Sequence, residues 1–144
     1  MNKFLGASVI LLALVIAIVP VFSDCLSQGR ALTTKDGKTV PMKCHWTGIA
    51  EIGLAVPLAI AGIFSLRKQR KDTSRILAVI GMAAGLMALL FPTVLIGTCA
   101  VPTMMCNLVM KPTLLASGIL IIAASIGLFV TASDPKPALI EVAA

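Results

Sequence analysis

Charged and aromatic side chains are scarce in this sequence. Only 12% of the residues are charged and 58% are hydrophobic, whereas soluble domains average about 25% charged residues. The deficit predicts that most of the chain contacts lipid or other apolar helices. Tyrosine is absent and aromatic residues make up 4%, which argues against the aromatic platforms on which proteins stack single-stranded nucleic acid. We therefore expect the lipid bilayer, and no nucleic acid, among the partners.

Four apolar runs are each long enough to cross a bilayer as a helix. About 20 apolar residues span the hydrocarbon core, and only helices or closed barrels satisfy their backbone groups there. The runs cover residues 4–22, 46–66, 76–97 and 113–132. The apolar core of the first run exceeds the roughly 7–15 residues of a cleaved signal peptide, so we interpret it as a retained helix. The sequence predicts an all-α membrane protein, a four-transmembrane-helix bundle forming one domain over residues 1–132.

The distribution of lysine and arginine indicates the orientation in the membrane. The short connection 67–75 is densely basic, with Arg67, Lys68, Arg70, Lys71 and Arg75. By the positive-inside rule this connection is cytoplasmic. Loop 23–45 also carries basic residues, at lower density. We therefore predict a multi-pass plasma-membrane protein with both termini inside, a cytoplasmic tail at 133–144, and loops 23–45 and 98–112 outside.

The four cysteines, Cys25, Cys44, Cys99 and Cys106, all lie in or beside the predicted outer loops. Cysteines confined to the oxidising side of a membrane suggest disulfides, and four cysteines allow three pairings. We slightly prefer the pairs within each loop, Cys25–Cys44 and Cys99–Cys106, while cross-loop pairing stays open. Either pairing predicts a small, disulfide-stapled extracytoplasmic cap on the bundle.

The first outer loop contains a pattern typical of a short β-hairpin. Leu32 and Thr34 precede Asp36-Gly37, and Thr39 and Val40 follow it. Asp-Gly favours a type I′ turn, in which both central residues have positive φ. The cap is therefore expected to contain a hairpin, which needs outside support because an isolated two-stranded hairpin is only marginally stable.

Two kinds of chemistry could arise in these loops. Thiol–disulfide exchange is one, but the chain lacks the Cys-x-x-Cys spacing that typically lowers a thiol pKa. A soft-metal or haem site is the other, because thiolate, thioether and imidazole suit Cu(I) and histidine with methionine suits haem iron. Its ligands would be Met42, Cys44, His45, Met104, Met105 and Cys106. Boundary methionines usually fill apolar gaps, so we favour structural disulfides and no cofactor, and assign no catalytic residue.

Glu51 and His45 are the strongest single candidates for a functional role. Glu51 is the only acidic residue inside any predicted span, and an intramembrane acid is a functional hypothesis by default. His45, the only histidine, lies just above it in sequence. The alternative is a protonated or hydrogen-bonded carboxyl that locks the second span to its neighbours.

Other residues of the spans are interpreted as architectural. Gly81 and Gly85 form a small-xxx-small face, which allows close packing of helices within the bundle or self-association. Pro57 and Pro92 predict kinks or local unwinding, and Trp46 stands where an interfacial anchor belongs.

The segments "MKCHWTGIAEIG", "GTCAVPTMMCN" and "KP" resemble a small four-span prokaryotic membrane family catalogued as domain of unknown function 4418. The resemblance covers most of the chain and implies the four-span fold, but no activity. The positions that it singles out here are Cys44, His45, Glu51, Cys99, Cys106 and Pro112. Members of that family accompany membrane transport systems, as an association only.

The combined pattern predicts a non-catalytic accessory subunit of a larger membrane assembly, with transport as one such setting. The chain is small for a transporter acting alone, and its outer cap is large relative to its cytoplasmic parts. A thiol redox or soft-metal site at the outer membrane face is the alternative.

Overall fold

The computed structural model describes residues 2–67 and 70–132, with side chains from Phe4 onward. Four long helices make up most of this part of the chain, which confirms the all-α prediction: α1 (Asn2–Ser23), α2 (Lys43–Ser65), α3 (Lys71–Leu90) and α4 (Lys111–Thr131). The predicted tail at 133–144 and Lys68 lie outside the described residues.

Each of the four helices is long and apolar enough to cross a membrane, so the chain is a multi-pass membrane protein. The largest differences from the predicted span boundaries are at the starts of the third and fourth helices. The third helix begins at Lys71 rather than 76, because its first turn is polar and stays helical beyond the apolar run. The fourth begins at Cys106 with a π-helical turn, Cys106–Met110, because the apolar residues of the second outer loop continue into the span.

The end of α3 unwinds at Pro92, as predicted. Proline has no backbone N–H and its ring clashes with the preceding turn of a helix. The chain widens here into a π-helical segment, Phe91–Leu95, and Phe91 O accepts from the backbone N–H groups of Ile96 at 3.2 Å and Gly97 at 3.0 Å. Gly97 then takes a positive φ of 80°, and the chain turns towards the second outer loop.

The bundle consists of two closely packed pairs, α1 with α2 and α3 with α4, and the contact between α1 and α4 joins them. Glycines bring the paired backbones together. A Cβ on Gly85 would lie 3.0 Å from Gly118 O, and one on Gly62 would lie 3.3 Å from Gly6 O. The Gly81–Gly85 face is buried against α4 of the same chain, so the close packing that these glycines predict occurs inside the bundle.

The predicted hairpin is present, but its turn is of a different type. Strands β1 (Leu32–Thr33) and β2 (Thr39–Val40) pair antiparallel, with Leu32 opposite Val40. Gly37 has a φ of 75°, whereas no described non-glycine residue has a positive φ. The type I′ prediction is therefore wrong, because Asp36 does not enter the left-handed region. Thr34 O accepts from the Gly37 N–H at 2.9 Å, which matches a type I turn followed by a left-handed glycine.

Candidate functional site

The four cysteines come from four different places in the chain and meet at one end of the bundle. Cys25 follows the end of α1, and Cys44 lies in the first turn of α2. Cys99 follows the unwound end of the third helix, and Cys106 begins the fourth. Both predicted outer loops therefore lie at the same end of the molecule.

The sulfur atoms of these residues form one cluster, with every Sγ within 4.8 Å of the others. Cys25 and Cys44 form a disulfide, as the within-loop pairing predicts. Cys99 and Cys106 are free thiols, so the second predicted disulfide is not formed. Cys99 Sγ instead lies 3.1 Å from Cys25 Sγ and 3.1 Å from Cys44 Sγ, and Cys106 Sγ lies 3.6 Å from Cys25 Sγ.

Cys99 is the most accessible member of the cluster. Cys25, Cys44 and Cys106 are at most 4% exposed, whereas Cys99 is half-buried. Its neighbourhood is a hollow of about 540 Å³ whose wall includes Thr98, Asn107 and Lys111. A thiol reagent or a peptide thiol approaching from outside the membrane therefore meets Cys99 first.

Asn107 holds the loop that carries Cys99. Its Nδ2 donates to Cys99 O at 2.6 Å and to Val101 O at 2.8 Å, and its Oδ1 accepts from the Thr98 hydroxyl at 2.7 Å. Sequence reasoning missed this residue. The available signal was an asparagine between two cysteines in a loop, because short amide side chains commonly satisfy loop backbone groups.

The Cys99 thiol is a weak acid in this setting. Burial raises its pKa above the ordinary value, and the neighbouring Cys106 thiol raises the pKa further. The thiolate, not the thiol, is the nucleophile and the metal ligand. Cys99 lies close enough to the disulfide to react with it. At neutral pH, however, its thiol must first lose a proton to an acceptor.

His45 pairs with an acid that sequence reasoning missed. Its Nδ1 lies 2.7 Å from Asp24 Oδ2, and Asp24 Oδ1 accepts from the Ser27 N–H at 2.6 Å. Burial alone would raise the Asp24 pKa, but the hydrogen bonds from His45 and Ser27 bring it below its usual value. Asp24 precedes Cys25 and His45 follows Cys44, so this pair links α1 to α2 beside the disulfide.

Glu51 forms no hydrogen bond with His45. The two residues are six apart on α2, which places their side chains about 120° apart around the helix axis. Glu51 is fully buried, and neither carboxyl oxygen has a hydrogen-bond partner in the described part of the chain. Thr47, one turn earlier, donates its hydroxyl hydrogen to Gly97 O at 2.7 Å. The side-chain hydrogen bond that ties α2 to a neighbouring segment is thus made by Thr47 and not by Glu51.

The soft-metal ligand set predicted from the sequence is only partly brought together. Met42 Sδ lies 3.8 Å from Cys99 Sγ, and Cys44 and Cys106 belong to the cluster. Met104 packs against the core and Met105 is exposed, while His45 binds Asp24. The structure brings together four cysteine sulfur atoms, two of them joined in a disulfide, in place of a mixed sulfur and imidazole set.

The comparisons with known proteins bear on the fold rather than on the chemistry. No curated protein and no solved structure matches the chain. The family model described as "Domain of unknown function (DUF4418)" matches residues 4–131. That range contains all four spans, the four cysteines and Glu51. The chain belongs to this family of unknown function.

Proposed function

We propose that the cysteine cluster is a thiol–disulfide exchange site at the outer membrane face. The observation that carries this proposal is the position of Cys99, whose sulfur lies 3.1 Å from each sulfur of the Cys25–Cys44 disulfide. Exchange proceeds by attack of a thiolate on a disulfide sulfur. A free thiol in contact with both half-cystines can therefore react without any large rearrangement of the bundle.

The exchange is balanced within the chain. The Cys99 thiolate attacks one sulfur of the disulfide, the S–S bond breaks, and the displaced sulfur leaves with the electron pair and takes up a proton. The Cys106 thiolate then attacks Cys99 Sγ and releases the second sulfur, which is protonated in turn. The products are a Cys99–Cys106 disulfide and two thiols, Cys25 and Cys44. Two electrons have moved from the second outer loop to the first.

Cys99 is also the route by which an external partner joins the exchange. An extracytoplasmic protein dithiol would reduce a Cys99–Cys106 disulfide by attacking the accessible Cys99 sulfur, and the partner would be oxidised. A partner disulfide would take the reverse path and accept the two electrons of the thiol pair. The class of partner is therefore a protein or peptide with exchange-active cysteines outside the membrane.

The test is a redox titration of the purified full chain in detergent. Samples equilibrated with mixtures of reduced and oxidised glutathione are quenched in acid, alkylated and mapped by mass spectrometry. We expect Cys25–Cys44 and Cys99–Cys106 disulfides to interconvert, and we expect Cys99→Ser to slow reduction of Cys25–Cys44. A Cys25–Cys44 disulfide that persists while Cys99 and Cys106 stay thiols at every ratio would overturn the proposal.

A four-sulfur metal site is the second candidate, favoured by the mutual proximity of the cysteines. Four thiolates suit Zn²⁺ or an iron–sulfur cluster, and thiolates with the nearby Met42 suit Cu(I). A tetrahedral zinc site needs Zn–S distances of about 2.3 Å, and these cysteines could approach that arrangement only with the disulfide reduced. Elemental analysis of reduced protein decides it: a stoichiometric metal supports this candidate, and metal-free protein removes it.

The accessory role predicted from the sequence is compatible with an exchange site, because a redox subunit would serve the thiols of a partner. The small size of the chain supports that prediction. Mild crosslinking in native membranes followed by purification tests it. A stable membrane partner is the expected result, and recovery of the chain alone would contradict it.

A further inference from the structure

The hollow beside Cys99 offers a ligand one kind of free hydrogen-bonding group. Its neutral polar side chains are already engaged. The Thr98 hydroxyl donates to Asn107 Oδ1 at 2.7 Å, the Asn107 amide donates to two backbone carbonyls, and the Thr93 hydroxyl donates to a carbonyl one turn earlier. Lys111 has no side-chain ion pair or hydrogen bond in the described part of the chain. The side chain left for a ligand is therefore an ammonium group, which donates and does not accept.

Lys111 is also the only charged residue among the described residues that line this hollow. It is half-buried and follows Asn107 by four residues, about one helical turn, so it stands on the same side of the fourth span as the residue that holds the Cys99 loop. Loops 23–45 and 98–112 contain five basic and two acidic residues, a formal excess of three positive charges. Because a cleft with charge of one sign concentrates ligands of the opposite sign, the hollow attracts anions.

We propose that the hollow is the docking site for the external redox partner of Cys99, and that this partner is an anionic thiol or disulfide. The inference rests on the function proposed above and names its substrate class: a small or peptide molecule with a carboxylate close to its sulfur. The hollow measures about 540 Å³, within the roughly 300–1,000 Å³ of small-molecule pockets. Lys111 pairs with the carboxylate while the substrate sulfur meets Cys99, the accessible cysteine of the cluster.

The charge of Lys111 acts on the encounter between substrate and thiolate. The Cys99 thiolate attacks one sulfur of a substrate disulfide, a bond between Cys99 Sγ and that sulfur forms, and the substrate S–S bond breaks. The second half of the substrate leaves as a thiolate with the electron pair, so this step needs no proton donor in the hollow. An anionic substrate is repelled by the attacking thiolate, and the ammonium group offsets that repulsion.

The test measures how the charge of a thiol reagent changes its rate at Cys99. Full chain in a nonionic detergent is treated with methanethiosulfonates that carry a sulfonate, a trimethylammonium or a neutral hydroxyl group. Each forms a mixed disulfide with Cys99 and releases methanesulfinate, and acid quenching with peptide mapping follows the loss of the thiol. Each rate is divided by the rate of the same reagent with 2-mercaptoethanol. Ratios between reagents in one protein then report charge preference alone, because the thiolate fraction of Cys99 cancels.

Three variants assign the preference to a residue. In the parent we expect the normalised rate of the sulfonate reagent to exceed that of the trimethylammonium reagent by about fivefold at low salt, and the preference to shrink at about 0.5 M salt. Lys111→Met should abolish it and Lys111→Arg should keep it. Lys35→Met is the matched control, because Lys35 is an exposed lysine of the hairpin turn and does not line the hollow. It should keep the preference within about twofold.

A parent without charge preference, or a preference that survives in Lys111→Met, would overturn the proposal and leave Lys111 as a contact to the membrane surface. Failure of the substrate class is distinguishable from failure of the exchange function, because labelling of Cys99 does not require the Cys25–Cys44 disulfide to open. Loss of preference with interconverting cysteine pairs overturns the substrate class alone. A Cys25–Cys44 disulfide that never opens overturns the exchange function, and with it the redox role of the hollow, whatever the preference.

Discussion

The two ends of the bundle are held together by different means. At the end that holds the four cysteines, the cysteine end, a disulfide, the Asp24–His45 pair and the Thr47–Gly97 hydrogen bond join separate elements. At the opposite end, the basic end next to the connection between α2 and α3, the described contacts include the Arg75 guanidinium 5.5 Å above the Phe129 ring. Between them, glycines let α3 and α4 approach closely. The comparison indicates that the basic end carries the sequence signal for orientation, whereas the cysteine end combines covalent stability with reactive groups.

The largest expected effect is the loss of the Cys25–Cys44 disulfide. Cys25 and Cys44 are 19 residues apart, and a disulfide closing a loop of that size contributes about 3 kcal/mol. The double variant Cys25→Ser with Cys44→Ser should lower the free energy of unfolding in detergent by that amount. Replacing both residues prevents either from pairing with Cys99. Cys106→Ser is the matched control, and equal stability of the two variants would contradict the comparison.

The middle of the bundle depends on packing instead. Gly85→Leu places a side chain where a Cβ already lies 3.0 Å from Gly118 O, and overpacking of this kind costs about 1–3 kcal/mol. Gly53→Leu is the control, because a Cβ at Gly53 meets nothing within 4 Å. Thermal unfolding in detergent should separate the two variants. An equal loss of thermal stability in Gly53→Leu and Gly85→Leu would show that the close α3–α4 contact is not the cause of the destabilisation.

Cys99 makes the chemistry of the cysteine end depend on pH. Because burial raises its pKa above the ordinary value of 9.0, only a small fraction is thiolate at neutral pH, and that fraction grows about tenfold per pH unit. Alkylation of Cys99 by iodoacetamide should therefore accelerate by about that factor between pH 7 and pH 8. A rate that is flat across this range would mean that Cys99 is already ionised.

The Asp24–His45 pair should have the smallest effect. A carboxyl whose folded pKa is depressed adds stability above its ordinary pKa of 3.8 and loses it as the pH falls through the lower folded value. Asp24→Asn should therefore cost about 1 kcal/mol at pH 7, and the difference from the parent should shrink in strong acid. Chemical unfolding of both proteins at pH 7 and in strong acid checks this. If the difference in unfolding free energy is the same at both pH values, the loss does not come from the charge of Asp24.

Hydropathy was sufficient for the helices, because a span needs an apolar run and nothing else. The basic connection and the positions of the cysteines also predicted which loops share an end. What the sequence did not reveal are distances between residues far apart in the chain. Cys25 contacts Cys99 and Cys106 only because the two helix pairs dock, and Asp24 reaches His45 only because α1 ends beside the start of α2.

Helical geometry answers a question that the sequence left open, whether His45 and Glu51 interact. His45 and Glu51 are close in sequence, yet six residues of an α-helix turn them to different faces. Seven residues bring Cys44 and Glu51 to the same face. The Asp36 prediction failed for a related local reason, because a type I turn needs positive φ only at the glycine that follows it.

The most direct test of the exchange site is a trap for its intermediate. In Cys106→Ser the second attack cannot occur, so a mixed disulfide between Cys99 and Cys25 or Cys44 should accumulate when the protein is equilibrated in a glutathione buffer. Non-reducing proteolysis and mass spectrometry would identify the linked peptides. A Cys99 disulfide to either residue is the expected result. Recovery of the Cys25–Cys44 disulfide alone, with Cys99 alkylated in every sample, would contradict thiol–disulfide exchange at this cluster.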